Sequence, residues 1–148
     1  MMKFLNKIIF LVLIGVCTTF TAQAQGSYHR SNISISAGLT VGLNANINYE
    51  YRITESSEMS SYIALGAGTI ASYSTIPHID LSHVFLRGRN NNKFEFGYGL
   101  TLFDPIDHPA LFVNFRLGYR KLSQYNNSFF RTGLSLVEGL YLGFGFNL

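Results

Sequence analysis

The chain has 148 residues, with 11 Lys and Arg against 8 Asp and Glu and a formal net charge of +3, a length typical of one domain. Hydrophobic residues make up 47% of the sequence and charged residues only 13%, against roughly 25% charged in an ordinary soluble protein. This composition is too apolar for a disordered chain and too poor in charge for a nucleic-acid binder. The 13 Phe and 9 Tyr residues favour β-strands over helices.

Residues 1–24 have the three parts of a secretory signal peptide. The basic start, the apolar run and the small residues of an A-x-A cleavage site are Lys3 and Lys7, Ile8 to Val16, and Ala22 and Ala24. The apolar run is about half of the roughly 20 residues that a membrane-spanning helix needs. We expect cleavage after Ala24, which leaves one mature domain over residues 25–148.

Cys17 is the single cysteine and lies inside this leader. The mature chain is therefore expected to have no disulfide, no thiol nucleophile and no cysteine-based metal site. A lipoprotein acceptor is the alternative, but Val16 stands before Cys17, where a small residue is usual.

The mature chain begins with a predicted hairpin. Apolar residues occupy the odd positions from Ile33 to Val41 and again from Ile47 to Ile53, with small or polar residues between them. This period-two pattern is typical of a strand with two unlike faces. Because the parity is unchanged across the break at Gly42 to Asn44, the connecting loop is expected to have an odd number of residues.

Six further strands are predicted from the same alternation. They lie near residues 61–71, 78–87, 93–102, 111–120, 129–136 and 140–148. In the fourth strand, Val84 and Leu86 interrupt the pattern, which suggests a β-bulge. Eight strands of about ten residues leave only short connections, so the sequence predicts an all-β, eight-stranded, antiparallel up-and-down barrel.

Alternation alone fits either a soluble barrel with an apolar interior or a membrane barrel with an apolar exterior. The face opposite the apolar one carries mainly Gly, Ser and Asn with few charges. A water-facing surface would be richer in charge, whereas the narrow bore of an eight-stranded barrel favours small residues. The sequence therefore predicts a transmembrane barrel with its apolar face outward and its glycine face inward. His83 is the main polar residue of the apolar face.

Several segments also resemble a known family. They are residues 47–53 (INYEYRI), 93–103 (KFEFGYGLTLF), 117–120 (LGYR), 129–133 (FFRTG) and 142–148 (LGFGFNL), together with the leader that ends in Ala-Gln-Ala. This set resembles small outer-membrane β-barrel proteins of Bacteroidetes-type bacteria, with an eight-stranded, OmpA/OmpX-like architecture. The resemblance implies a bacterial outer-membrane location and recognition of the closing strand by the barrel assembly machinery, although Leu148 replaces the usual terminal Phe. It implies no assigned activity.

Charged residues on the glycine face are expected to point into the bore and to form a salt-bridged interior network, because buried charges must pair. The residues are Glu50, Arg52, Asp80, Glu95, Arg116, Arg120 and Arg131. A proton or small-ion path is the alternative function of these charges. A conduit predicts discrete conductance steps in planar bilayers.

Two further groups are candidates for chemistry. His78 and Asp80 share one strand face with Ser82, but successive members would be nearly 7 Å apart along the strand, too far for a catalytic triad; His83 is the third candidate for a lipid-modifying enzyme. Such an enzyme predicts that alanine substitution of His78, Asp80 or His83 abolishes lipid turnover. A loop bounded by prolines carries three candidate cation ligands, Asp104, Asp107 and His108.

We therefore expect a monomeric outer-membrane protein with a structural or interaction role, whose partner is outer-membrane lipid. No cofactor, nucleic-acid partner or enzymatic activity is expected. The runner-up functions are a lipid-modifying enzyme and a narrow conduit for small solutes or ions.

Overall fold

The computed structural model describes residues 30–56 and 58–148 of the chain, which form eight strands. The predicted signal peptide lies outside these residues. No helix in the described part is long and apolar enough to cross a membrane. The strands are β1 Ser31–Leu39, β2 Leu43–Glu55, β3 Met59–Ala71, β4 Thr75–Arg87, β5 Asn92–Phe103, β6 Ala110–Leu122, β7 Ser128–Ser135 and β8 Gly139–Asn147.

Each strand pairs antiparallel with the next, and β8 pairs with β1 to close the barrel. The predicted eight-stranded up-and-down architecture is confirmed. We call the end that holds residues 30 and 148 the lower end; its connections are residues 56–58, 88–91 and 123–127. The upper end has connections at residues 40–42, 72–74, 104–109 and 136–138.

The first hairpin has the odd-numbered loop that the parity predicts. Leu39 pairs with Leu43, so the connection is the three residues 40–42. The predicted break at Gly42 to Asn44 lies two residues too late along the chain. Asn44 is consequently a strand residue whose side chain is fully buried in the barrel.

The predicted bulge in β4 is wrong. The registers of β4 with β3 and with β5 are unbroken, and Val84 and Leu86 lie inside the barrel in a small apolar cluster with Tyr62 and Ala64. The inward-facing residues of β4 are polar in its upper part and apolar at the lower end. Apolar residues therefore occupy both faces there, and the alternation cannot be recognised in the sequence. The irregularity lies in β2 instead, between Arg52 and Thr54.

The two faces of the wall have inverted polarity. Among the described residues, 20 buried side chains are polar or charged and 8 are apolar, whereas 34 large apolar side chains are exposed on the outer surface or at the rims. In a water-soluble globule the apolar residues form the core. Here the core is polar and the outside is apolar, as the composition of the glycine face predicted.

Candidate functional site

The barrel interior holds most of the charges that the sequence predicted there. Six of the seven predicted residues are buried inside it: Glu50, Asp80, Glu95, Arg116, Arg120 and Arg131. Arg52 lies near the lower end and pairs with Glu55 at 2.9 Å, a partner that is half exposed. Arg52 is therefore part of the rim and does not join the interior network.

A central layer of two acids and two arginines spans the bore. Arg120 donates to Glu50 Oε2 at 2.6 Å through Nη1 and to Glu95 Oε2 at 2.7 Å through Nη2. Arg131 donates to Glu95 Oε1 at 2.6 Å and to Glu50 Oε1 at 3.3 Å. The four side chains come from β2, β5, β6 and β7, so the layer joins opposite parts of the wall across the axis. We call these four residues the central layer.

Neighbouring side chains hold the central layer in place. The Arg120 guanidinium lies 4.6 Å from the centroid of the Phe129 ring, and the Arg131 guanidinium lies 5.1 Å from that of Tyr141. Tyr141 also donates its hydroxyl to Glu95 Oε1 at 3.3 Å. Planar guanidinium groups both stack on rings and donate in the ring plane, so these contacts fix the orientation of the arginines.

Above the central layer, Asp80 is the centre of a second polar cluster. Its carboxylate accepts hydrogen bonds from Thr101 Oγ1, from Asn46 Nδ2 at 3.4 Å and from Asn114 Nδ2 at 3.4 Å. His78 Nε2 lies 3.5 Å from Asp80 Oδ2. Donors from β2, β5 and β6 therefore converge on one carboxylate of β4.

Glu138 is an interior acid that the sequence did not predict. It lies in the three-residue connection between β7 and β8, where its Oε1 accepts from Ser36 Oγ at 2.5 Å and its Oε2 lies 3.5 Å from Arg116 Nη2. Residue 139 is a glycine with φ of +67°, a conformation that favours glycine, and the turn directs Glu138 inward. The sequence contained one indication of a further interior acid, because four interior arginines were predicted and only three acids.

The candidate catalytic residues do not form one site. His78 and Asp80 lie inside the barrel and are almost completely buried, whereas His83 lies on the outer face of the same strand. His83 Nδ1 lies 3.2 Å from the Tyr98 hydroxyl and its ring lies 4.2 Å from that of Phe85. The barrel wall therefore separates His83 from the other two side chains.

The candidate cation ligands of the loop between β5 and β6 are not brought together. Among residues 30–56 and 58–148, no three His, Cys, Asp or Glu side chains form a group that could hold a metal ion. Asp104, Asp107 and His108 are among the side chains that form no such group. Asp104 instead has a φ of +44° and its carboxylate lies 3.5 Å from the backbone nitrogen of Asp107, contacts within a tight turn.

Comparison of this chain with protein-family models, curated proteins and solved structures finds no match. The barrel interior holds buried, paired charges and buried amide side chains, an arrangement suited to holding the wall together.

Proposed function

We propose that this chain is an integral outer-membrane β-barrel of the kind found in Bacteroidetes-type bacteria, with a structural or interaction role and with the lipid bilayer as its partner. In this proposal residues 1–24 are the signal peptide that directs export through the inner membrane, and the barrel assembly machinery inserts the mature domain. The observation that carries the proposal is the inverted polarity of the wall.

A continuous apolar row illustrates that inversion. Leu65, Leu81, Leu100 and Val113 are successive partners across β3, β4, β5 and β6, and each is exposed on the outer surface. A soluble monomer rarely presents such a large contiguous apolar surface to water. Hydrocarbon is the solvent that this surface fits.

Strand length and closure agree with a membrane location. The strands have 8 to 13 residues, and a tilted transmembrane strand needs about 9 to 11. Pairing of β1 with β8 removes the sheet edges along most of the wall, as a bilayer requires because unpaired backbone groups are costly in hydrocarbon.

The interior supports a structural role over catalysis or conduction. The central layer crosses the bore with four fully buried, mutually paired charges. His78 and Asp80 are enclosed by the same wall, so a lipid substrate outside the barrel has no contact with them. Paired charges in a closed bore stabilise the wall and fill the space that a pore would need.

Expression of the full chain in a bacterium with an outer membrane tests the proposal. We expect the protein to be cleaved after Ala24, to remain in the outer-membrane fraction after a urea wash, and to change gel mobility when it is boiled. The same sample without boiling is the control. Recovery of the processed chain as a detergent-free, water-soluble monomer would contradict the proposal.

A further inference from the structure

At the upper end, β6 extends beyond its neighbour β7. The uppermost pair of the β6–β7 ladder is Arg116 with Ser135, and one further hydrogen bond joins the Leu136 nitrogen to the Phe115 oxygen at 3.0 Å. The β5–β6 ladder continues upward to Ala110. Residues 110–114 therefore pair on one side only, and their other side is an open sheet edge.

The free backbone groups of this edge follow from the alternation of the strand. The Phe115 carbonyl points toward β7, and the Leu122 nitrogen points toward β5, where it bonds the Asn91 oxygen at 2.7 Å. The register of β6 has no shift between these positions. Since N–H and C=O groups alternate sides along a strand, both groups of Leu111 and of Val113 face the open side.

The side chains at this edge are apolar on both faces. Leu111 is 64% exposed, and Phe112 and Val113 are each 55% exposed. Leu111 and Val113 lie on the outer face, whereas Phe112 lies on the inner face, where its ring contacts that of Phe103 with centroids 5.4 Å apart. The upper part of β6 thus combines unpaired backbone groups with an uncovered apolar surface.

Neither water nor membrane hydrocarbon is a favourable environment for this edge. Water would satisfy the backbone but would leave three large apolar side chains exposed. Hydrocarbon would cover the side chains but would leave four backbone groups without partners, at a cost of several kcal/mol for each group. A β-strand with apolar side chains satisfies both requirements, because it supplies backbone donors and acceptors at the matching spacing.

We infer that the open edge of β6 at Leu111 and Val113 is a docking site for an extended apolar segment of a second, different polypeptide. The added strand lies above the β7–β8 turn and continues the sheet where β7 stops. It exchanges up to four backbone hydrogen bonds with Leu111 and Val113, and its side chains cover Leu111 and Phe112.

A second copy of this barrel fits the edge less well, a step that rests on the proposed membrane location. Two copies inserted in the same direction present β6 strands that run the same way, and two-fold symmetry sets Leu111 opposite Leu111 and Val113 opposite Val113. Parallel strands bond through staggered groups, whereas these groups would face each other directly. The symmetric dimer therefore cannot form the ladder.

Peptide binding to the detergent-solubilised barrel tests the inference. The probe is a fluorescent heptapeptide of alternating Thr and Val, and the variants are Val113→Pro and its matched control Val113→Thr. Proline removes a free N–H and no hydrogen bond of the barrel, so both variants should keep the boiling-dependent gel mobility. We expect Val113→Pro to weaken binding about tenfold or more, the effect of losing one to two hydrogen bonds, and Val113→Thr to bind like the wild type.

Three results would overturn the inference. They are absence of binding to the wild-type barrel, equal binding to Val113→Pro, and a wild-type dimer that Val113→Pro dissociates, which would make a second copy the occupant. Amide hydrogen exchange gives an independent measurement. In the barrel alone Leu111 and Val113 should exchange faster than Phe112 and Asn114, and the peptide should slow them; slow exchange at Leu111 and Val113 without peptide would show an edge already paired.

Discussion

Arg120 is fully buried and lies between two glutamates that belong to different strands. Removing an ion pair from water is costly, and only good geometry with additional hydrogen bonds offsets that cost. Arg120 makes four hydrogen bonds shorter than 3.0 Å to Glu50 and Glu95. Loss of Arg120 would leave two buried carboxylates, Glu50 and Glu95, with Arg131 as their shared partner. We therefore expect removal of the Arg120 side chain to be strongly destabilising.

Substitution Arg120→Leu should lower the free energy of unfolding by about 3 to 5 kcal/mol, the cost of breaking a buried pair on one side. The urea midpoint of the boiling-dependent gel shift, measured in lipid vesicles, reports this change. Arg52→Ala is the matched control, because Arg52 pairs with a half-exposed glutamate at the rim and such pairs contribute about 1 kcal/mol or less. Equal losses for the two variants would contradict a stabilising central layer.

Two glycines of β5 differ in the space around them. A Cβ atom added at Gly97 would lie 3.4 Å from its nearest neighbours, the His83 oxygen and Val84 Cγ2, whereas one added at Gly99 would lie 2.6 Å from Ser82 Cβ and closer still to the Leu81 oxygen. The distance at Gly97 is an ordinary van der Waals contact, whereas the distances at Gly99 require the backbone to move. The barrel wall therefore has room for a methyl group at Gly97 and none at Gly99.

Gly97→Ala should accordingly leave the stability unchanged or raise it by up to about 1 kcal/mol, because it restricts the unfolded chain. Gly99→Ala should lower it by roughly 1 to 3 kcal/mol through overpacking. Both are measured from urea midpoints of the same gel shift. A Gly99→Ala barrel as stable as the Gly97→Ala barrel would show that β4 and β5 do not approach as closely as described.

At the scale of the strands, the alternation of apolar and polar residues predicted the number and approximate position of all eight, and the short connections between them predicted their order. Each strand separates two unlike environments, so inward and outward positions differ in residue type, and a one-residue slip would exchange the faces. The same pattern placed Glu50, Glu95, Arg120 and Arg131 on one side of the wall. Their mutual distances depend on the stagger of the barrel, which no single strand encodes.

The sequence analysis failed where contacts between strands or the geometry of a turn decide. Val84 and Leu86 are inward residues that are apolar because the lower interior is lined by Tyr62, a long-range contact. Glu138 lies in a turn, where alternation carries no information about direction. The first turn was also predicted too late in the chain, because asparagine is common in loops, whereas Asn44 is a buried strand residue.

An outward charge in the upper half of β5 distinguishes a lipid-facing wall from a water-facing one. Leu100→Arg should lower the free energy of unfolding in vesicles by about 2 to 4 kcal/mol if hydrocarbon surrounds the strand, since Leu100 is flanked in the sheet by Leu81 and Val113. Leu100→Phe keeps the position apolar and is the control. In water an arginine at an exposed position would change stability by no more than about 0.5 kcal/mol, and that outcome would contradict the membrane proposal.

At the scale of the whole molecule, closure depends on the pairing of the first strand with the last. Eight residue pairs join β1 to β8, from Asn32 with Asn147 to Leu39 with Leu140. These pairs join the two ends of nearly the entire described chain. Bringing the ends together therefore costs the conformational entropy of closing a loop of that length, and the β1–β8 ladder has to offset this cost. None of the four residues of the central layer lies on β1 or β8, although Asn32 of β1 and Tyr141 of β8 donate hydrogen bonds to Glu50 and Glu95. The β1–β8 ladder supplies the backbone pairing that closes the barrel.

A cysteine pair across this ladder tests the closure. Ile35 and Phe144 are direct partners on the outer face, and Cα atoms of antiparallel partners lie about 4.5 to 5.5 Å apart, within the range that a disulfide accepts. In the mature chain, Ile35→Cys/Phe144→Cys should therefore oxidise within one molecule, migrate faster than the reduced form on a boiled non-reducing gel, and gain up to about 4 to 5 kcal/mol of stability from a loop of roughly 100 residues. Ile35→Cys/Leu140→Cys is the control, because Leu140 pairs with Leu39, four residues or about 13 Å along the strand. Equal crosslinking of both variants would show that β1 and β8 do not hold this register.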